Sequence, residues 1–161
     1  MKRDLHPLTR ENISNGIIGN MSEYRFYYPI EVRYGDLDPQ GHLNNAKYLT
    51  YFETARINYF VHLGLFTPGH SFMDIGVIMA DARVTFHAPV QYGTPVKVGV
   101  CTSKIGNKSM TVEQNIVNAE TDEILASGQV ILVAFDYHMN KTLPVPDVMR
   151  EKITAFEGLE V

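Results

Sequence analysis

The sequence predicts an α+β protein in which an antiparallel sheet wraps around one long helix. Three observations carry this. Residues 45–63 form one long helical pattern that is apolar over most of its circumference. Residues 25–34 alternate strictly between two faces. Residues 77–137 hold four further strand-like segments divided by short turns, which favours antiparallel pairing in hairpin succession.

In chain order, residues 1–23 are polar, contain Gly16 and Gly19, and show no sustained period, so they read as a flexible extension before a single domain at 24–161. In the first strand Phe26, Tyr28, Ile30, Val32 and Tyr34 share a face, and Pro29 asks for a sheet edge because it lacks an N–H. Asn44 caps the helix, and Gly64 follows its end. Lys47, Thr50, Thr54 and Asn58 make a narrow polar stripe on it, and Glu53 lies off that stripe, facing the interior or a subunit interface. Val77–His87 alternates. Gly106-Asn107 reads as a tight turn with positive φ between two strands. A C-terminal helix carries Met149, Ile153 and Phe156 on one face and stops at Gly158.

Composition narrows the function. A net charge of −4 gives no general attraction to nucleic acid or anionic membrane. No apolar run reaches membrane-spanning length, and no apolar segment follows Lys2 and Arg3 as a secretory signal would. The single cysteine, Cys101, excludes an internal disulfide framework, and a cytoplasmic location is expected. The six histidines have no ligand spacing, so neither a metal nor another cofactor is expected.

The chemistry concentrates in Arg33–Arg56: R-Y-G-D-L-D-P-Q-G-H-L-N-N-A-K-Y-L-T-Y-F-E-T-A-R. Asp36 and Asp38 sit in a Pro/Gly loop, His42 follows, and Asn44-Asn45 open the helix. An acid beside a helix N-terminus can activate a nucleophile while the helix amides hold developing negative charge. On residue type alone Asp38 reads first as an Asp-Pro turn residue satisfying loop amides.

That run resembles the hotdog-fold acyl-CoA thioesterases of the 4-hydroxybenzoyl-CoA thioesterase type. The later run F-H-A-P-V-Q-Y-G-T-P-V-K-V is similar to the family's second strand and the bend after it. The resemblance covers roughly residues 24 to 156 and implies a hotdog fold, a sheet wrapped around the central helix. It implies hydrolysis of an acyl-CoA thioester by Asp38, as general base or nucleophile, with the Asn45 backbone N–H as oxyanion donor. It also implies a CoA arm near the 104–109 hairpin, where Lys108 is the first choice with Ser109 beside it; Arg83 is the weaker candidate.

Two readings stand for His42, a group orienting substrate or water and a loop histidine bonded to backbone. Asp36 is a loop acceptor and Asn44 a cap. Glu53 is foremost an ion-pair partner of Arg56, three residues on, and alternatively a second catalytic carboxylate. Tyr48, Phe52 and Met79 are candidate acyl-pocket residues. The partner expected is a small-molecule acyl-CoA. Two alternatives stand beside it: an acyl carrier protein as acyl donor, and a non-catalytic acyl-CoA-binding protein. A homodimer or homotetramer is expected, since one sheet covers only part of such a helix.

Overall fold

The computed structural model describes residues 24–160 apart from 72, 74 and 75, and the proposed 1–23 extension lies outside them. Strand β1 is Phe26–Ile30, followed by a 3-10 turn at Tyr34–Asp36 and helix α1 at Asn45–His62. Then come β2 (Val77–Phe86), β3 (Val96–Ile105), β4 (Ser109–Asn118), β5 (Ile124–Asp136), the short β6 (Lys141–Thr142) and α2 (Asp147–Glu157). The sheet order is β1-β3-β4-β5-β2 with every pairing antiparallel, and β6 pairs with β5.

The antiparallel sheet against one long helix matches the expectation, but the hairpin succession holds only for β3-β4-β5. After α1 the chain enters β2 at the far edge beside β5, then crosses back to β3. The crossing segment is no hairpin turn. Val90 in it is fully buried, its carbonyl accepts from Leu43 N at 2.7 Å, and Gln91 bridges to His42. A stretch held against the start of α1 cannot also reverse β2 onto β3.

β1 lies at the opposite edge, as Pro29 required, but it ends at Ile30 instead of running on to Tyr34. The Asp36 carboxylate accepts from Arg33 N and draws residues 33–36 into the 3-10 turn, which leaves Tyr34 80% exposed. The β3–β4 connection is also tighter in sequence than in backbone. Gly106 and Asn107 are not among the positive-φ residues, because a three-residue loop does not need the two-residue geometry. Gly106 N donating to Ser109 O at 2.7 Å closes that loop, and Arg150 Nη2 donating to Gly106 O ties it to α2.

The core lies between α1 and the sheet. Tyr59, Phe52 and Phe60 from α1 meet Val98, Val100, Val112, Ile116 and Leu132. Each such side chain contributes about 1.5–3 kcal/mol when fully buried. Gly128 permits the closest approach: a Cβ there would stand 2.7 Å from the Phe52 ring. α2 caps the far end of the core, with Met149 and Ile153 buried and its C-terminus turned by Gly158 at φ 71°. Glu157 anchors it, accepting from Tyr59 Oη at 2.6 Å and Thr102 N at 3.1 Å. Along β2, by contrast, Ile78, Met79 and Phe86 are each more than 40% exposed, and its outer edge has no partner strand among the described residues.

Candidate active site

The two acids of the loop have different surroundings. Asp36 is 2% exposed and saturated. It accepts from Arg33 N, Arg33 Nε at 3.1 Å, Arg33 Nη2, Tyr51 Oη at 2.9 Å and Lys47 Nζ at 3.2 Å. Burial alone would raise its pKa; the donors from Arg33, Tyr51 and Lys47 outweigh that and hold it at about 2. Tyr51 is pushed the other way, by burial and then by the Asp36 carboxylate, so its hydroxyl remains a donor. The backbone carbonyl of Asp36 also accepts from Asn44 N at 2.9 Å, which fixes the entry to α1. The expected scaffold role for Asp36 is what the geometry gives, and Lys47 and Tyr51 are the partners that the sequence reading left unassigned.

Asp38 is half-buried and uses only one oxygen. Its Oδ1 accepts from Gln40 N at 2.9 Å and His42 N at 3.1 Å. Its own N–H donates to His42 O at 2.7 Å, and Leu37 bridges to Leu43, so the loop closes on itself. Among the described residues nothing donates to Oδ2. His42 takes part here through its backbone; among the described residues its ring makes no hydrogen bond or ion pair.

Asn44 caps α1, its Oδ1 accepting from Ala46 N at 3.0 Å, while Lys47 N donates to Asn44 O at 2.8 Å. Asn45 is the first residue of the helix, where an amide has no intrahelical acceptor. Among the described residues none accepts from Asn45 N–H. The loop and the helix start therefore leave, seven residues apart in the chain, a carboxylate oxygen and a backbone donor that have no partner among the described residues. Tyr48, one turn along, lies 3% exposed beneath them. Burial raises its pKa, the Val90 backbone opposes this, and the Asp38 charge adds to the rise. Phe86 of β2 stacks edge-on against it at 4.8 Å.

The remaining predicted residues are not brought to this point. Glu53 is on the exposed side of α1, 61% exposed, so of its two expected positions, the interior or a subunit interface, the interior one is not met. It stands 3.9 Å from Arg56 Nη2, the predicted pair but a long one. Arg56 itself is buried, and its Nη1 donates to Gln114 Oε1 at 3.3 Å. Gln114 Nε2 then donates to Phe52 O at 2.6 Å. A glutamine in the apolar register of Met110, Val112 and Ile116 was the available signal for this buried link.

Lys108 and Ser109 lie at the other end of the sheet. The Asp38 loop bridges to Gln91, just before β3 begins, whereas the hairpin follows the end of β3. That strand has 10 residues, a span of roughly 30 Å. Lys108 Nζ is hydrogen-bonded to Thr142 Oγ1 at 3.3 Å. Arg83 pairs with Asp81 at 3.3 Å on the outer face of the sheet: its neighbour Val84 registers with Gly128, which faces Phe52 of α1, so Arg83 points away. Of the acyl-pocket candidates, Phe52 and Tyr48 are closed in the core and Met79 is 41% exposed. Cys101 is buried in β3. Among the described residues no cluster of three metal-ligating side chains occurs, and no helix is long and apolar enough to cross a membrane.

Comparison with known proteins supplies the class. A thioesterase from Thermus thermophilus, solved in complex with coenzyme A and Zn, superposes with a TM-score of 0.76 at 33% identity, over 88% of this chain and 100% of that one. The acyl-CoA thioester hydrolase YbgC of Escherichia coli O6:H1 is 24% identical over 116 residues, 72% of this chain and 86% of the relative. YsmA of Bacillus subtilis strain 168 is 25% identical over 132 residues, 82% and 87% respectively. The protein is a thioester hydrolase built on the hotdog fold. More particularly, the chain belongs to the thioesterase-like superfamily, whose family model matches residues 32–153.

Proposed function

We propose that the protein hydrolyses an acyl-CoA thioester to the free acid and CoA, with Asp38 as the working carboxylate and the N-terminus of α1 as the oxyanion site. One observation carries this reading: Asp38 Oδ2 and Asn45 N–H are both left without a partner where loop and helix meet. Asp38 Oδ2 takes a proton from water as the water oxygen bonds to the acyl carbon. Alternatively Oδ2 bonds to that carbon, and water opens the resulting anhydride. In either route the carbonyl oxygen gains charge facing Asn45 N–H, the C–S bond breaks, and the departing thiolate is protonated. An oxyanion donor of this kind is worth about 10²–10³ in rate.

The coenzyme A held by the Thermus relative supports CoA as the carrier. The open β2 edge supports a homodimer, or a dimer of dimers, because an exposed strand of 10 residues recruits another strand. In an antiparallel pairing of two β2 strands, the end near Val133 and Ser109 of one copy adjoins the Phe86 end of the other. That arrangement would bring Lys108 and Ser109 of a second copy toward CoA bound at Asp38. The lone, buried cysteine supports a reducing cytoplasm.

The test is thiol release from a panel of acyl-CoA and acyl-carrier-protein thioesters by the wild type and Asp38→Asn. The variant is expected to lose about 10³-fold in kcat while its thermal transition is kept. Undiminished turnover by the folded variant would sink the assignment, and turnover of carrier-protein thioesters alone would move the substrate away from CoA.

A further inference from the structure

We infer that Tyr34 and Tyr92 are positioning residues for the reaction: their ring contact clasps the two ends of the Asp38 loop from the solvent side and keeps the carboxylate aimed. This rests on the thioesterase reading of the Asp38 site.

The two rings meet edge to face, with centroids 6.3 Å apart and planes at 84°. Tyr34 is 80% and Tyr92 65% exposed, and among the described residues neither hydroxyl makes a hydrogen bond. Rings so open to solvent bury little apolar surface, and an edge-to-face pair is only weakly attractive. Their share in holding the fold is therefore small. What sets the pair apart is which two pieces of backbone it joins.

Each tyrosine stands on a backbone that is already fixed. Tyr34 opens the 3-10 turn, and its carbonyl accepts from Leu37 N at 3.3 Å, the residue before Asp38. Tyr92 lies inside the turn at 91–94. That turn is closed by Thr94 N donating to Gln91 O at 3.1 Å and by Gln91 N donating to Thr94 Oγ1 at 3.2 Å, with Gly93 at φ 78°. Gln91 is also the residue that bridges to His42. The far end of the loop is thus fastened to residues 90–91 by Leu43 and His42. Its near end is fastened to the same segment by the Tyr34 ring on Tyr92.

Between these anchors Asp38 has only short-range support. Its carboxylate accepts from Gln40 N and His42 N, and Gly41 N donates to Asp38 O. These bonds lie inside the loop and move with it. The Asp36 contacts tie the near end to α1, but not to the turn at 91–94. A rotation of residues 37–41 about the His42–Gln91 bridge shifts Asp38 Oδ2 relative to the Asn45 amide and breaks no bond within the loop. The ring contact opposes that rotation from the solvent side. A misplacement of about 1 Å at a reacting group costs up to about 10² in rate.

The experiment is thiol release by the full-length protein and its Tyr34→Ala, Tyr92→Ala and doubly substituted variants. It reads kcat and KM separately on an acyl-CoA that the wild type turns over, with thermal transitions alongside. Each alanine is expected to lower kcat about tenfold, with KM and the thermal transition nearly unchanged. The double variant is expected to fall no further than the singles, because all three remove one contact. Phenylalanine at either position keeps the ring and is expected to restore kcat. Alanine variants with wild-type kcat overturn the inference. So do losses that multiply in the double variant, and so does a raised KM at constant kcat, which would put the rings on the substrate. A change in sedimenting mass alone would assign the pair to a contact between copies and overturn it too. Asp38→Asn separates this inference from the reading beneath it. If that variant keeps only residual turnover, adding Tyr34→Ala should lose nothing more, and a further fall overturns the clasp. If Asp38→Asn stays active, it is the Asp38 reading that fails, and the clasp fails with it.

Discussion

Asp36 and Asp38 are two residues apart, yet one is buried under five hydrogen-bonding contacts and the other keeps an oxygen with no partner. The turn around Asp36 ties β1, the loop and α1 into one block. The loop around Asp38 uses backbone amides alone to aim a single carboxylate. The contrast teaches that, on the proposed reading, the acid left to react is the one whose local structure stops short of satisfying it. A carboxylate at about pKa 2 with every lone pair engaged is a poor base and a poor nucleophile, however close it lies.

The contrast can be broken by exchanging which acid is lost. The largest effect is expected from Asp38→Asn, about 10³ in kcat or ~4 kcal/mol of barrier, with little change in stability. Asp36→Asn should show the reverse. It leaves Arg33 and Lys47 facing a neutral amide, so stability falls by about 3 kcal/mol, read from urea unfolding, while the folded fraction keeps most of its turnover. If Asp36→Asn instead kills turnover without loosening the fold, the roles are exchanged.

A third measurement sharpens the comparison with pH. The carboxyl of Asp36 has a folded pKa of about 2 against an ordinary 3.8, so the folded state binds fewer protons between these values. Its stabilisation is complete above pH 4 and drains away as pH falls through 2, on the order of 2 kcal/mol in all. Acid unfolding of the wild type should carry this slope, and Asp36→Asn should flatten it. The smallest effect is expected for Tyr51→Phe, which removes one of the donors and should cost about 1 kcal/mol in the same unfolding assay.

Much of this division could be read from the sequence, because it depends on neighbours in the chain. Asn44 as cap, Gly64 beyond the helix, Pro29 at an edge and Gly158 at the last C-cap are local choices that local rules recover. The choice of Asp38 over Asp36 as the proposed working acid came from the family resemblance, since residue type alone favoured a turn role for it. What escaped depends on distant pairing. The return of β2 to the β5 side is decided by the Val90 segment seating on the start of α1. Glu53 is 61% exposed in the single chain, so of its two expected positions the interior is excluded. Lys108 was drawn toward the site by resemblance, and the register sets it a strand's length away in the same chain. Gln114 was visible as a polar residue in an apolar alternation, but its partner Arg56 lies in another element, 58 residues away.

The Asp36 block also has a kinetic consequence. Each of its contacts to Asp36 spans at most 15 positions, the longest being that to Tyr51. The sheet, by contrast, must bring Tyr28 to Val98 and Val77 to Ala134. Closing short loops costs less chain entropy than closing long ones. The seat of the acid proposed to react is therefore expected to assemble ahead of the strands that later enclose it. A chevron plot of Tyr51→Phe tests this: the refolding limb should slow more than the unfolding limb accelerates. A variant that altered unfolding alone would put the block among the last parts of the chain to form.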